Sequence, residues 1–110
     1  MGTRDMIRTD YCDAIDALVI AFCYGYRQRK LAIEEKRCKR RTLMEYEYIN
    51  RRLEDAAREI VGDDFEIYIK EIGSKIGYAH SEIADVSETE YKMHKKEVKI
   101  SIAKILHLLD

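Results

Sequence analysis

The side chains best suited to chemistry in this sequence are basic, and they concentrate in two stretches. The first, residues 36–41, has the sequence KRCKRR, and we call it the basic block. The second is a row of lysines that follows Ser87. Cationic side chains attract phosphate groups by charge and by counterion release, without reading base sequence. Both stretches are therefore candidate contacts for a nucleic acid, and the alternative is a solvated surface paired with neighbouring acids.

The second stretch also has residues suited to base edges. In a helix-turn-helix, the second helix places short polar side chains in the major groove, and basic side chains behind them hold the backbone. Ser87 and Thr89 are of that type at the start of a predicted helix. The candidate DNA-binding residues are Ser87, Thr89, Lys92, Lys95, Lys96, Lys99, Lys36, Arg37, Lys39, Arg40 and Arg41.

No local pattern indicates a catalytic or metal site. Residues 73–77, GSKIG, have some likeness to a phosphate loop, but they lack its Gly-Lys-Ser/Thr ending and lie in a helical pattern. His80, His94 and His107 are isolated, so surface or partly packed histidines are a better interpretation than a ligand set. The sequence therefore predicts a protein that is not an enzyme and that has no catalytic residue, metal site or cofactor.

The elements that position these residues are predicted to be helices. The 110 residues include no proline and five glycines, which leaves few helix breakers and little turn chemistry for a sheet. Hydrophobic residues make up 46% and charged residues 37%, as expected for a globular domain with an ionic surface. We predict an all-α fold, a compact bundle of about four main helices plus one short helical turn, in a single domain over residues 1–110.

The net charge of -1 conceals a strong alternation along the chain. Residues 27–52 contain ten basic and four acidic residues, whereas residues 53–86 contain three basic and nine acidic residues. A dipolar molecule with one basic region follows, and that region could meet a polyanion despite the balanced sum.

Cysteine usage and hydropathy indicate a cytoplasmic protein without a membrane segment. Cys12, Cys23 and Cys38 are odd in number and widely spaced, which favours reduced thiols. The most apolar run, residues 14–24, is shorter than the roughly 20 residues that span a bilayer. Its hydrophobic stripe extends almost all round a helix, so this first helix is also a candidate homodimer contact.

The N-terminal half, residues 1–62, is predicted to form a helical hairpin. A cap at Thr9-Asp10 would begin the first helix, and the pattern allows it to continue to about Lys36. Thr42 with Glu45 has the form of a capping box that begins a second helix. Gly62 is well placed to end that helix in the left-handed conformation.

Residues 63–110 are predicted to form a half similar to a helix-turn-helix. A third helix capped by Asp63-Asp64 would cover residues 65–76 and stop at Gly77, followed by at most one short helical turn. Ser87 with Glu90 forms a second capping box, and the last helix would extend to about residue 109.

On the last helix, a core sector and a basic sector are separate. At roughly 100° per residue, Tyr91, Val98 and Ile102 fall in one narrow sector, which we predict to face the core. A second sector, roughly perpendicular to the first, contains four lysines that we call the lysine stripe: Lys92, Lys95, Lys96 and Lys99.

Residues 81–106 resemble the C-terminal helix-turn-helix of small phage and prophage regulators of the ArpU/RinA type, which are similar to region 4 of sigma factors. Glu82-Ile83-Ala84 matches the scaffold helix in kind, and Ser87, Tyr91 and the lysines match the recognition helix. The whole chain also looks like short proteins of Firmicutes prophages. Only Asp85-Val86 separates the two parts, where the usual motif has a longer scaffold helix. The scaffold role could instead pass to residues 65–76, or the motif could be a protein-binding surface.

Two functions follow as expectations. The resemblance and the basic residues favour a small non-enzymatic transcriptional regulator of phage or prophage type that binds double-stranded DNA. The alternative is a phage-encoded helical interaction protein, such as an inhibitor of a host or CRISPR defence complex, which would use the acidic surface of residues 53–86 against a host or defence protein. A structural component of a phage particle is a third possibility for which the sequence has no distinguishing mark.

Overall fold

The computed structural model describes residues 11–109, which form five α-helices and no strand. The all-α prediction is therefore confirmed for this part of the chain. The helices are α1 (Asp13–Tyr24), α2 (Tyr26–Glu35), α3 (Arg40–Val61), α4 (Phe65–Ser74) and α5 (Glu88–Ile105), with short 3-10 turns at Gly62–Asp64 and Tyr78–His80. The second of these turns is the short helical turn that the sequence predicts.

The predicted first helix is divided at Gly25, which raises the number of helices from four to five. Helical hydrogen bonding continues through the division, because the Gly25 amide donates to the Ala21 carbonyl at 3.2 Å. The predicted extension to about Lys36 is confirmed, since α2 ends at Glu35 and Lys36 adopts the left-handed conformation with φ 51°. The predicted cap at Thr9-Asp10 lies outside the described residues.

The predicted start of the second main helix at Thr42 is wrong. The N-cap of that helix, α3, is Lys39, three residues earlier than Thr42, and its side chain makes no capping hydrogen bond. Gly62 does end α3 with a positive φ of 61°, but its ψ of -130° is not that of the left-handed helix. Glycine is favoured here because residues with a Cβ rarely adopt this combination of φ and ψ.

The boundaries of the last two helices differ in part from their predictions. Asp64 precedes α4 without a side-chain capping bond, because a 3-10 turn intervenes, and α4 ends at Ser74, three residues before Gly77. The Ser87 half of the predicted capping box of α5 is confirmed, since Ser87 Oγ accepts a hydrogen bond from the Glu90 amide at 3.1 Å. Regular α-helix ends at Ile105, short of residue 109.

One hydrophobic core joins α1, α3, α4 and α5. Val19, Leu53, Ile69, Val98 and Ile102 have no exposed surface and belong to the same cluster. Burying each side chain of this size stabilises the fold by about 1.5–3 kcal/mol. The two predicted halves of the sequence therefore share a core, and α5 presents the apolar sector that the sequence indicates.

α1 and α4 approach closely at Gly73, within the GSKIG segment. A Cβ at this position would lie 2.5 Å from the Tyr24 amide nitrogen and 2.6 Å from the Cys23 carbonyl carbon. Contacts below 3.0 Å with backbone atoms cannot be relieved by a side-chain rotation. Gly73 is therefore a packing residue within α4, which explains the glycine without a phosphate loop. Among the described helices, none has the length and apolar content needed to cross a membrane.

Candidate nucleic-acid interface

The segment before α5 is an irregular, hydrogen-bonded loop. The resemblance to phage regulators implies a scaffold helix at Glu82-Ile83-Ala84, but these three residues lie outside every helix. Ile83 is buried and packs against Tyr68 and Tyr91 instead. Asp85 has φ 66°, so the chain turns there in the left-handed region. A two-helix motif of normal spacing is consequently not formed between residues 81 and 106.

A buried carboxylate holds this loop in place. Glu71 on α4 is 2% exposed and accepts hydrogen bonds from Ser81 Oγ at 2.6 Å, the Glu82 amide at 2.7 Å and the Tyr91 hydroxyl at 2.7 Å. Burial and the hydrogen bond to Glu71 raise the pKa of Tyr91 to about 12, so its hydroxyl stays protonated as a donor. The loop is thereby tied to both α4 and α5.

Two lysines of the stripe are held against the protein itself. Lys95 Nζ donates to the Ile76 carbonyl at 2.7 Å and lies 5.3 Å from the centre of the Tyr91 ring. Burial lowers the pKa of Lys95, and the positive charge of Lys99 lowers it further. Lys99 Nζ in turn lies 3.2 Å from a carboxylate oxygen of Asp16 on α1. These ammonium groups connect α5 to the rest of the fold.

The other two lysines of the stripe are exposed. Lys92 Nζ lies 2.8 Å from a carboxylate oxygen of Glu88, one turn earlier on α5, in a pair open to solvent. Lys96 is exposed and has no ion pair within residues 11–109. Of the four lysines of the stripe, only Lys96 is both exposed and without an ion pair within residues 11–109.

The predicted base-reading end of α5 is surrounded by acids. Ser87 and Thr89 are exposed as that role requires, but Ser87 Oγ is engaged in the helix cap. Exposed carboxylates stand beside them in sequence at Glu82, Asp85, Glu88 and Glu90. Carboxylates at this end of the helix would repel DNA phosphates at close range. Direct readout by the start of α5 is thus unfavourable electrostatically.

The basic block forms the connection between α2 and α3 and the first residues of α3. Its five cationic side chains, Lys36, Arg37, Lys39, Arg40 and Arg41, are all exposed. Arg37 pairs with Glu35 at 2.6 Å. No ion pair of the other four with any residue in 11–109 is present. The block thus retains most of its positive charge at the surface.

The base of this α2–α3 hairpin is fixed by a buried polar network. Asn50 is 5% exposed. Its side-chain amide donates to the Tyr26 carbonyl at 3.1 Å and accepts from Arg29 Nε at 2.7 Å. Arg29 also donates to the Phe22 carbonyl. Arg40 lies ten residues before Asn50 on α3, or about 15 Å along the helix axis. The basic block is therefore presented well away from the network that anchors the hairpin.

The two basic regions belong to different parts of the fold. The lysine stripe contacts the chain just after α4, through the Ile76 carbonyl, and α1, through Asp16. The basic block adjoins α2, through the Arg37–Glu35 pair. Among residues 11–109 no hydrogen bond or ion pair joins the block to the stripe.

An exposed apolar pair on α3 was missed by the sequence reasoning. Met44 is 59% and Tyr48 57% exposed, and the Arg52 guanidinium carbon lies 4.8 Å from the centre of the Tyr48 ring. Arg41, Glu45 and Ile49 complete a shallow groove with them. The spacing of four residues between Met44 and Tyr48, on the side of α3 away from its core positions, is the signal that could have indicated this surface.

Comparisons with known proteins complete the description of the site. In the part of the chain described, no group of three or more His, Cys, Asp or Glu residues could hold a metal ion. No family model, no curated protein and no solved structure matches this chain.

Proposed function

We propose that this protein is a non-enzymatic DNA-binding protein that contacts the phosphates of double-stranded DNA with the basic block. The observation that carries the proposal is the accumulation of exposed cations around the start of α3, where the N-cap Lys39 makes no side-chain capping bond and the first turn has no acidic residue. The N-terminus of a helix carries a partial positive charge, which repels cationic side chains placed there. A bound anion, such as a phosphate group, relieves this repulsion.

Phosphate contacts alone give binding that depends little on sequence. The sequence of residues 81–106 resembles that of phage and prophage regulators, although the scaffold helix is not formed. On this sequence resemblance we propose a role in transcription, with Ser87, Thr89 and the lysine stripe as secondary contacts. The acids around the start of α5 and the internal contacts of Lys95 and Lys99 reduce what that helix can contribute. We therefore place the main DNA contact on the hairpin.

The test is fluorescence anisotropy with a labelled duplex and two matched double variants. Lys39→Glu/Arg40→Glu is expected to weaken binding at least about 30-fold, because it replaces two phosphate contacts with two repulsions. Lys92→Glu/Lys96→Glu makes the same charge change on α5 and is expected to weaken binding less than about threefold. With about four phosphate contacts, affinity of the unmodified protein should fall by about two orders of magnitude between 50 and 200 mM salt.

Three results would count against this proposal. Unchanged affinity of the hairpin variant removes the basic block from the interface. A loss confined to the α5 variant moves the interface to the lysine stripe. Binding that does not respond to salt is incompatible with phosphate contacts.

A helical interaction protein, such as an inhibitor of a host or CRISPR defence complex, is the second candidate. The observation that favours it is the exposed pair Met44 and Tyr48, since aromatic and methionine side chains are enriched at protein interfaces. It requires a protein partner and no DNA affinity at about 150 mM ionic strength. Absence of DNA binding in the anisotropy experiment, together with capture of a defined host complex, would favour this function over the first.

A further inference from the structure

The outer face of α3 has the side chains of a helix–helix contact, but none of the other helices within residues 11–109 covers it. At roughly 100° per residue, Arg41, Tyr48 and Asp55 form a line along α3 on the side opposite the buried Ala57. We define the outer face by six residues on or beside this line: Arg41, Met44, Glu45, Tyr48, Arg51 and Asp55. All six are exposed.

We infer that this face binds the same face of a second copy of the chain, with the two α3 helices antiparallel and Tyr48 on the two-fold axis. Symmetry about Tyr48 sets residues seven before it against residues seven after it, so Arg41 meets Asp55 of the second copy. Glu45, three residues before Tyr48, and Arg52, four residues after it, lie on the same flank of the contact, so Glu45 meets Arg52 of the second copy. Each ion pair occurs twice, as two-fold symmetry requires.

The charges select this register over its neighbours. A slip of one helical turn in one direction sets Arg41 against Arg51 of the second copy, and a slip in the other direction sets Glu45 against Asp55. Both slips replace attraction by repulsion between like charges, which acts against the wrong alignment. The sequence of the outer face is therefore self-complementary in a single antiparallel alignment among these three.

The centre of the contact is apolar. Met44 and Tyr48 have more than half of their surface exposed in the single chain, and association would remove it from water. Arg52 already stacks on Tyr48 and would extend over Met44 of the second copy. The contact covers about four helical turns of one helix from each copy. The area it buries is smaller than the roughly 800 Å² per partner of a standard interface. We therefore expect a reversible dimer with a dissociation constant of about 10–100 µM.

The test is a charge swap followed by sedimentation velocity at low salt. Arg41→Glu and Asp55→Arg, each alone, are expected to raise the dimer dissociation constant about tenfold, because each creates two like-charge contacts. The double variant Arg41→Glu/Asp55→Arg should return to within about threefold of the unmodified chain. Positions 41 and 55 are about 21 Å apart on one helix, so this rescue can come only from contact between two chains.

The controls separate this dimer from other associations. Tyr48→Ser should weaken association without changing charge, whereas Leu18→Ser, at an exposed position of α1, should leave it unchanged. A chain that stays monomeric up to about 500 µM, well above the expected dissociation constant, overturns the inference. A double variant that associates as weakly as the single variants also overturns it. A loss of association in Leu18→Ser alone would place the contact on α1 and overturn it as well. These results are independent of DNA binding, because the sedimentation experiment contains no DNA.

Discussion

Replacement of Glu71 with alanine is expected to lower the free energy of unfolding by about 3 kcal/mol, a large share of the stability of a domain of this size. The carboxylate accepts three hydrogen bonds while 2% exposed, and alanine leaves the Glu82 amide and the Ser81 hydroxyl without that acceptor. Tyr91 can still donate to the Ile76 carbonyl at 3.2 Å, so its loss is the smallest of the three. Urea denaturation followed by circular dichroism measures the change.

A conservative variant and an exposed control make this prediction specific. Glu71→Gln keeps the shape of the side chain, but its NH₂ group faces a hydrogen-bond donor where the carboxylate had an acceptor oxygen. We expect a smaller loss of unfolding free energy, about 1–2 kcal/mol, because one acceptor oxygen remains. Glu97→Ala removes an exposed carboxylate from α5 and should change stability by less than about 0.5 kcal/mol. A Glu71→Ala protein as stable as the unmodified chain would mean that the loop over residues 81–86 is held by something other than this carboxylate.

Gly73→Ala is expected to be the second most damaging single change. Its Cβ would lie 2.5–2.7 Å from three backbone atoms of Cys23 and Tyr24, so α1 and α4 must move apart. Overpacking of this kind costs about 3 kcal/mol, and the better helix propensity of alanine returns about 1 kcal/mol. The expected net loss is about 2 kcal/mol in the same denaturation experiment.

Gly77→Ala is the matched control within the same GSKIG segment. No atom lies within 4 Å of a Cβ at this position, and its φ of -92° is open to any residue. Alanine there should therefore be neutral or slightly stabilising. Equal effects at Gly73 and Gly77 would contradict the close approach of α1 and α4.

Much of the fold could be predicted from local patterns. Apolar periodicity identified the core residues Val98 and Ile102. The Ser87 cap could also be predicted, because its hydrogen bond joins two residues that are only three apart in the sequence. The start of α3 could not be predicted, because Arg40 and Arg41 oppose the usual preference for acids in the first turn, and Thr42 offered a conventional cap. Here the propensity rule failed at the residues we assign to phosphate binding.

The residues of the candidate site could be predicted from the sequence, but the hydrogen bonds and ion pairs that they form could not. The basic block is local, so its exposure follows from its sequence. The contacts of the lysine stripe join residues far apart in the chain, such as Lys95 with Ile76 and Lys99 with Asp16. The partners of Glu71 lie 10 to 20 residues away, and no short-range pattern specifies them. Charge along a helix therefore identified a basic sector without determining which ammonium groups are available to a ligand.

The most direct test of the proposed interface is an NMR titration of the labelled protein with a short DNA duplex at low salt. If the basic block contacts phosphates, the amide resonances of residues 36–41 should shift most, and those of residues 87–92 should stay within the change seen across the core. Largest shifts at residues 87–96 would contradict this account and return the interface to α5.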